Sequence, residues 1–186
     1  MRGAIGLALV LALVGACGVS PDTTRIELRA YLVRTKSWAP VEAETNRTLK
    51  RIFATQFVDE AEIRRQIADS RPRILTHLDQ VRGFTAHSKD IARIHARYLA
   101  AWERLLGGYD AIEQGFSSGD YAKLARGREA MEAWREEIQA VAAELRELME
   151  HFGVDAAGAM ESRAPGAPFQ RSTQSTKSSA RPAAIA

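Results

Sequence analysis

The stretch DYAKLARGREAMEAWREEIQAVAAELRELMEHF, residues 120–152, decides the fold because its apolar side chains follow a heptad pattern. Apolar or small residues recur at alternating intervals of three and four, at Leu124, Gly127, Met131, Trp134, Ile138, Val141, Leu145, Leu148 and Phe152. This spacing places them on one face of a single α-helix. Gly119 and Asp120 precede the pattern and Gly153 follows it, as is typical of helix caps.

The preceding segment, residues 89–116, repeats the pattern. Its apolar positions are Ile91, Ile94, Tyr98, Trp102, Leu105, Tyr109, Ile112 and Phe116. Ser88 suits the N-cap, and Asp90 falls in the first turn, where the helix dipole favours a negative charge. Only the turn SSG, residues 117–119, separates the two patterns, so we expect two antiparallel neighbouring helices.

Residues 59–84 predict a third helix with a proline inside it. Its apolar positions are Ile63, Ile67, Ile74, Leu78, Val81 and Phe84. Proline lacks the N–H that a helix interior uses, and its ring clashes with the preceding turn. We therefore expect Pro72 to kink this helix or to split it near Arg71.

Residues 22–57 give the least regular pattern of the four. Ile26, Ala30 and Val33 suit a helix, and we expect Pro40 to interrupt it. The apolar pattern resumes after Pro40, at Leu49, Ile52, Phe53 and Phe57. No strand-like alternation of useful length occurs in the sequence. The predicted fold is therefore all-α, an antiparallel up-down bundle of about four helices over residues 24–155. An alternative architecture is a helical hairpin that completes its bundle only as a dimer.

The N-terminal residues have the features of a secretory signal peptide. Arg2 supplies a positive charge, and the run from Ala4 to Val14 is apolar and uncharged. A bilayer-spanning helix needs about 20 apolar residues. This run is shorter, and Gly18 and Pro21, which follow it, do not extend a helix. We therefore expect residues 1–16 to be removed during export.

The residues around the expected cleavage point, Val14-Gly15-Ala16-Cys17, resemble the lipobox of bacterial lipoproteins: a branched apolar residue, two small residues and a cysteine. The resemblance is confined to this N-terminal segment. It implies cleavage before Cys17, attachment of diacylglycerol to its thiol, and acylation of the new amino terminus with fatty acids such as palmitate. Several acyl chains would hold the protein on membrane lipid permanently.

The same resemblance bears on location. Residues 17–23 would form a lipidated tether between the membrane and the bundle. In this family an Asp directly after the cysteine often signals retention at the inner membrane, and Gly18 at this position favours the outer membrane. The sequence leaves open whether the bundle points to the periplasm or to the cell surface.

The net charge of +3 does not indicate nucleic-acid binding, because the excess of bases lies outside the expected bundle. Of the 26 Lys and Arg residues, one is Arg2 and four lie in residues 161–186; the other 21 accompany 22 acidic residues in residues 22–155. Residues 156–186 are rich in Ser, Thr, Ala and Pro, and we expect a disordered tail.

No motif for phosphate binding, haem, zinc or nucleophilic catalysis occurs in the sequence. We therefore assign no catalytic residue, no metal ligand and no cofactor. The paired carboxylates of the last helix are expected on its solvated face; they are Glu129, Glu132, Glu136 and Glu137.

His77 and His95 are candidates for a polar site. They lie equally far from the expected turn at residue 86, so they can face each other across a hairpin with Asp79 or Asp90 nearby. A bundle can hold a metal between facing helices, but neither histidine belongs to the Glu-x-x-His pattern of ferritin-like sites. We therefore expect them to hydrogen-bond neighbouring side chains.

Aromatic residues at helical spacing predict a core. They are Tyr98, Trp102, Tyr109, Phe116, Tyr121 and Trp134. The functional alternative is a pocket for a small apolar ligand between the third and fourth helices. Gly107 and Gly108, in mid-helix, would then permit either close helix packing or a kink that opens the pocket.

The functional expectation is a non-enzymatic binding or scaffolding module of the cell envelope. It would be anchored to membrane lipid through acylated Cys17 and would present a helical surface to another envelope protein. The alternative is a sensor domain that binds a small ligand or a metal between its helices. An enzyme is not expected, because no convergent acid, base and nucleophile are visible.

Overall fold

Four helices make up the protein in a computed structural model, which describes residues 20–54 and 59–155. They are α1 (Pro21–Ala54), α2 (Glu60–Arg82), α3 (Lys89–Ser118) and α4 (Tyr121–Phe152). No strand occurs in these two ranges. Helices that are consecutive in the chain pack against each other, and α4 also packs against α1. The prediction of an all-α up-down bundle is therefore confirmed.

The ends of the chain carry several of the predicted features. The predicted signal peptide, Cys17 and residues 156–186 lie outside the described residues. α1 begins at Pro21 and so includes residues 21–23, which the sequence assigned to the tether. None of the helices in the described part of the chain is long and apolar enough to cross a membrane.

The turn between α3 and α4 has the predicted caps. Gly119 adopts a φ of 66°, a left-handed conformation that costs glycine little, and its N–H donates to the carbonyl oxygen of Gly115. The Asp120 carboxylate accepts hydrogen bonds from the backbone N–H groups of Ala122 and Lys123. Every residue of the heptad pattern in α4 is buried or half-buried. The antiparallel hairpin predicted from residues 89–152 is therefore confirmed.

Glycines bring α3 and α4 into close contact. A Cβ on Gly127 would lie 2.7 Å from the carbonyl oxygen of Gly108, and one on Gly108 would lie 2.9 Å from the Cβ of Ala130. Gly107, in contrast, faces open space, with nothing within 4 Å of a Cβ placed there. Close packing is therefore the role of Gly108, and Gly107 takes no part in it.

Neither proline ends a helix. α1 continues through Pro40 and α2 through Pro72. The predicted interruption at Pro40 and the predicted split near Arg71 are therefore wrong. An interior proline removes one helical hydrogen bond and adds a local clash. Buried residues on both sides of each proline hold these helices against the core, and that packing outweighs the local penalty.

α1 packs by a face that its apolar residues did not reveal. Ile26 and Val33 are 67% and 52% exposed. The inward face instead repeats every three or four residues, at Leu28, Tyr31, Thr35, Trp38, Glu42, Thr45, Leu49 and Ile52. Three of these residues are polar, so the pattern is not visible as a hydrophobic period.

A side chain of α1 caps the start of α3. The Glu27 carboxylate accepts hydrogen bonds from the backbone N–H groups of His87 and Ser88, the latter at 2.7 Å. Ser88 occupies the predicted N-cap position, but its hydroxyl makes no capping hydrogen bond. At the same end of the bundle, Arg25 Nε donates to the carbonyl oxygen of Phe152 at 2.9 Å. The start of α1 therefore lies beside the start of α3 and the end of α4.

Candidate functional site

Trp38, at the middle of α1, is the centre of a buried cluster of aromatic rings and histidines. It is 2% exposed and stacks on Tyr98 of α3, with ring centres 5.4 Å apart. Tyr31 meets it edge-on at 5.9 Å, and His77 and His95 contact it at 6.0 and 6.1 Å. Stacked and edge-on contacts of this kind are favourable between aromatic rings. Three helices, α1, α2 and α3, thus meet in one cluster.

A chain of hydrogen bonds crosses this cluster from α2 through α3 to α1. The Tyr98 hydroxyl donates to Glu42 Oε1 at 2.6 Å and lies 3.0 Å from His77 Nε2. A phenol has one proton, and here the hydroxyl donates it in the hydrogen bond to Glu42. His77 must therefore donate to Tyr98 from Nε2. His77 Nδ1 is then left as an acceptor, buried and without a hydrogen-bond partner among the described residues.

Burial shifts the protonation of these groups towards their neutral forms. It lowers the pKa of His77 to about 4, because the protonated imidazole loses its hydration, and it also lowers the pKa of His95. Burial raises the pKa of Glu42, and the hydrogen bond from Tyr98 opposes this in part. Among the groups that the structure describes, no cation contributes to the pKa of Glu42.

A groove of about 460 Å³ opens beside the cluster, between α1 and α4. It is present because α4 packs far more extensively on α3 than on α1. Most of its wall is apolar, from Leu32, Val33, Ala39, Ile138, Val141, Ala142, Leu145 and Met149. Tyr31, Glu42 and Tyr98 of the cluster also line it. Its size and lining are those of sites that bind small molecules.

One polar atom of the groove lining is unpaired. Tyr31 is fully buried, and its hydroxyl makes no hydrogen bond within residues 20–54 and 59–155. A buried polar group without a partner costs free energy, which a ligand that bonds to it can recover. The groove therefore joins an apolar body to several polar residues, among them Tyr31 and Glu42 and the exposed Lys36 and Arg146.

A second cavity, of about 520 Å³, lies at the end of the bundle where α3 turns into α4. Phe53, Glu60, Phe116 and Leu124 are among the residues that line it. Residues 55–58, which join Phe53 to Glu60 along the chain, lie outside the described residues. The groove between α1 and α4 is therefore the better-defined site.

The structure does not bring the predicted histidines and aspartates together. His77 and His95 both reach the cluster, but Asp79 and Asp90 lie at the surface, where they pair with Arg82 and Arg93. The part of the chain that the structure describes holds no group of three or more potential metal-ligating side chains. His77 instead bonds Tyr98, the kind of neighbour that the sequence led us to expect.

The carboxylates of α4 lie where the sequence placed them. Glu129 and Glu136 are exposed. Glu132 accepts a hydrogen bond from Arg128 at 3.1 Å, and the half-buried Glu137 accepts one from Arg97 at 2.7 Å. They form a polar outer face of the bundle and do not converge on the groove.

The aromatic core was predicted only in part. Of its six predicted members, Tyr121 is 84% exposed, and the others are buried or half-buried. Tyr31, Trp38 and Glu42 were not singled out, because polar residues interrupt the apolar period of the inward face of α1. The groove lies between α1 and α4, whereas the sequence suggested a pocket between the third and fourth helices.

Comparison with known proteins gave no match to a family model, a curated protein or a solved structure. The function is therefore inferred from the groove, the cluster beside it and the N-terminal sequence.

Proposed function

We propose that this chain is a lipid-anchored binding protein of the bacterial cell envelope and that it acts without catalysis. The lipobox-like sequence ending at Cys17 supports the anchor. The observation that carries the binding role is the groove between α1 and α4, whose mostly apolar lining includes Glu42 and Tyr31, the latter with an unpaired hydroxyl. Acid, base and nucleophile do not converge at one place within residues 20–54 and 59–155, so we propose binding rather than a reaction.

The anchor would hold the bundle close to the membrane. Cys17 precedes Pro21, the first residue of α1, by four positions. Four residues span at most about 14 Å when extended. The start of α1 would therefore remain near the lipid surface, and the absence of Asp at position 18 favours the outer membrane.

A small molecule is the occupant that the groove favours. A stable protein–protein interface buries about 800 Å² on each partner, whereas a volume of about 460 Å³ suits a drug-sized ligand. Tyr31, whose hydroxyl is buried and unpaired, belongs to this lining. We therefore place ligand binding ahead of scaffolding for this groove.

Two matched substitutions, each of an alanine by phenylalanine, test this site. Ala142 lines the groove and Ala140 does not, and both are exposed residues of α4. We expect a panel of small apolar ligands to raise the melting temperature of the wild-type protein and of Ala140→Phe, but not of Ala142→Phe, whose ring fills the groove. Equal ligand responses of the two variants would contradict a site in this groove.

A second candidate function, scaffolding of an envelope protein, is favoured by the outer face of α1. Ile26 and Val33 are exposed and seven residues apart, so they share that face, which borders the groove at Val33. A photo-crosslinking residue at either position should capture one defined membrane or periplasmic protein in cells. Leu75 of α2, 46% exposed, provides the control position. Equal labelling from all three positions would count against a docking face.

A further inference from the structure

We propose that the groove binds an organic ammonium ion, with its nitrogen between Glu42 and Tyr31 and its apolar body along α4. The inference rests on the proposed function, because it names the class of ligand for the same groove. Two features support it: a half-buried carboxylate without an ion-pair partner among the described residues, and an unpaired hydroxyl on a buried tyrosine of the same lining.

The Glu42 carboxylate is the first feature. It receives one hydrogen bond, from Tyr98, and forms no ion pair with a described residue. A half-buried carboxylate without a cation is unfavourable, since it has lost part of its hydration and gained no opposite charge. An ammonium group in the groove would supply that charge and a second hydrogen bond to the carboxylate.

The Tyr31 hydroxyl is the second feature. The Tyr31 hydroxyl is unpaired and can accept an N–H from the ligand. Tyr98, whose hydroxyl bonds Glu42, lines the same groove. A carboxylic acid ligand would instead place its own negative charge beside Glu42.

The other charged groups around Glu42 are compatible with a cation. Lys36 and Arg146 line the groove but are exposed, so solvent and salt screen their charges. Arg135 of α4 shares a smaller adjoining cavity with Glu42, but it does not contribute to the pKa of Glu42. His77 reaches Glu42 only through Tyr98, and burial keeps it neutral because its pKa is about 4.

Three probes with one apolar body separate the possibilities: hexylamine, hexan-1-ol and hexanoate. Binding to the full mature protein can be followed by calorimetry or by the fluorescence of its tryptophans. We expect hexylamine to bind at least about tenfold more tightly than hexan-1-ol, because only the amine forms an ion pair with Glu42. Glu42→Gln should remove that difference while hexan-1-ol binds as before, since Gln can still accept the hydrogen bond from Tyr98.

Tyr31→Phe gives an independent variant in case Glu42→Gln does not fold. It keeps the ring and removes the unpaired hydroxyl, so we expect a loss of about threefold to tenfold for hexylamine and little change for hexan-1-ol. Hexylamine affinity should also increase as the pH rises through the pKa of Glu42, whereas hexan-1-ol affinity should not.

The outcomes distinguish the ligand class from the site. Hexylamine binding no tighter than hexan-1-ol, or a preference for hexanoate, would overturn the ammonium proposal and leave the groove as a ligand site. Failure of all three probes to bind, or binding that Ala142→Phe does not weaken, would contradict both proposals.

Discussion

The Tyr98 hydroxyl donates a 2.6 Å hydrogen bond to the carboxylate of Glu42, and this contact joins α3 to α1 inside the bundle. The same hydroxyl accepts from His77 of α2 at 3.0 Å. One atom therefore ties three helices together beside the groove. A substitution at position 98 should affect both the stability of the bundle and the wall of the groove.

Removing this hydroxyl tests its contribution to stability. Tyr98→Phe leaves the Glu42 carboxyl and His77 Nε2 without their shared partner, and we expect the free energy of unfolding to fall by about 1–3 kcal/mol. Urea denaturation provides the measurement. Tyr121→Phe, which changes a tyrosine that is 84% exposed, is the matched control and should change it by less than about 0.5 kcal/mol. Similar losses in both variants would show that the chain of hydrogen bonds adds nothing.

His77 should make the protein less stable in mild acid. Its pKa falls from 6.5 to about 4 on burial, so between these values the unfolded chain binds the proton and the folded protein does not. The contribution of neutral His77 to the free energy of unfolding is complete above pH 6.5. It is lost as the pH falls towards 4, by up to about 3 kcal/mol.

His77→Gln tests that dependence because glutamine can still donate to Tyr98 but does not titrate. We expect its unfolding free energy to depend less on pH between 6.5 and 4 than that of the wild type. His151→Gln, at an exposed position, should retain the wild-type dependence. Parallel curves for the wild type and His77→Gln would exclude His77 as the source.

Two glycine-to-alanine substitutions should act in opposite directions. A Cβ on Gly127 would lie 2.7 Å from the carbonyl oxygen of Gly108 and against Ile112, so Gly127→Ala should destabilise the protein by about 1–3 kcal/mol. Gly107→Ala meets nothing within 4 Å and should stabilise helix α3 by about 0.5–1 kcal/mol. Thermal unfolding would compare them. Destabilisation by both variants would contradict the expected gain in helix propensity at Gly107.

The cap that Glu27 provides to α3 should be measurable locally. Glu27→Ala leaves the N–H groups of His87 and Ser88 without their acceptor, at a cost of about 1 kcal/mol. Hydrogen exchange should become faster at these two amides and in the first turn of α3. Glu103→Ala, which removes a half-exposed surface pair with Arg82, serves as the control and should leave those amides unchanged.

The parts of the fold that were predictable are those that residues close together in the sequence determine. The hairpin of α3 and α4 was predictable because its inward face is apolar and Gly119 and Asp120 mark its turn locally. The inward face of α1 was not, because Thr35 and Glu42 interrupt its apolar period. These polar residues are accommodated through contacts with other helices, which no local pattern encodes.

The candidate site illustrates the same limit. His77 was expected to bond a neighbouring side chain, but its partner Tyr98 depends on how α2 and α3 align. Glu42 joins them only because α1 continues as a helix through Pro40, where the sequence suggested a break. Local propensity argued against the element that completes the site, and packing over the whole bundle decided it.

The lipid anchor is the central claim, and the intact mass of the native protein extracted from membranes tests it most directly. We expect a chain that begins at Cys17 and carries the added mass of a diacylglycerol and an amide-linked fatty acid. A native chain with an unmodified Cys17, or one that retains residues 1–16, would contradict the claim.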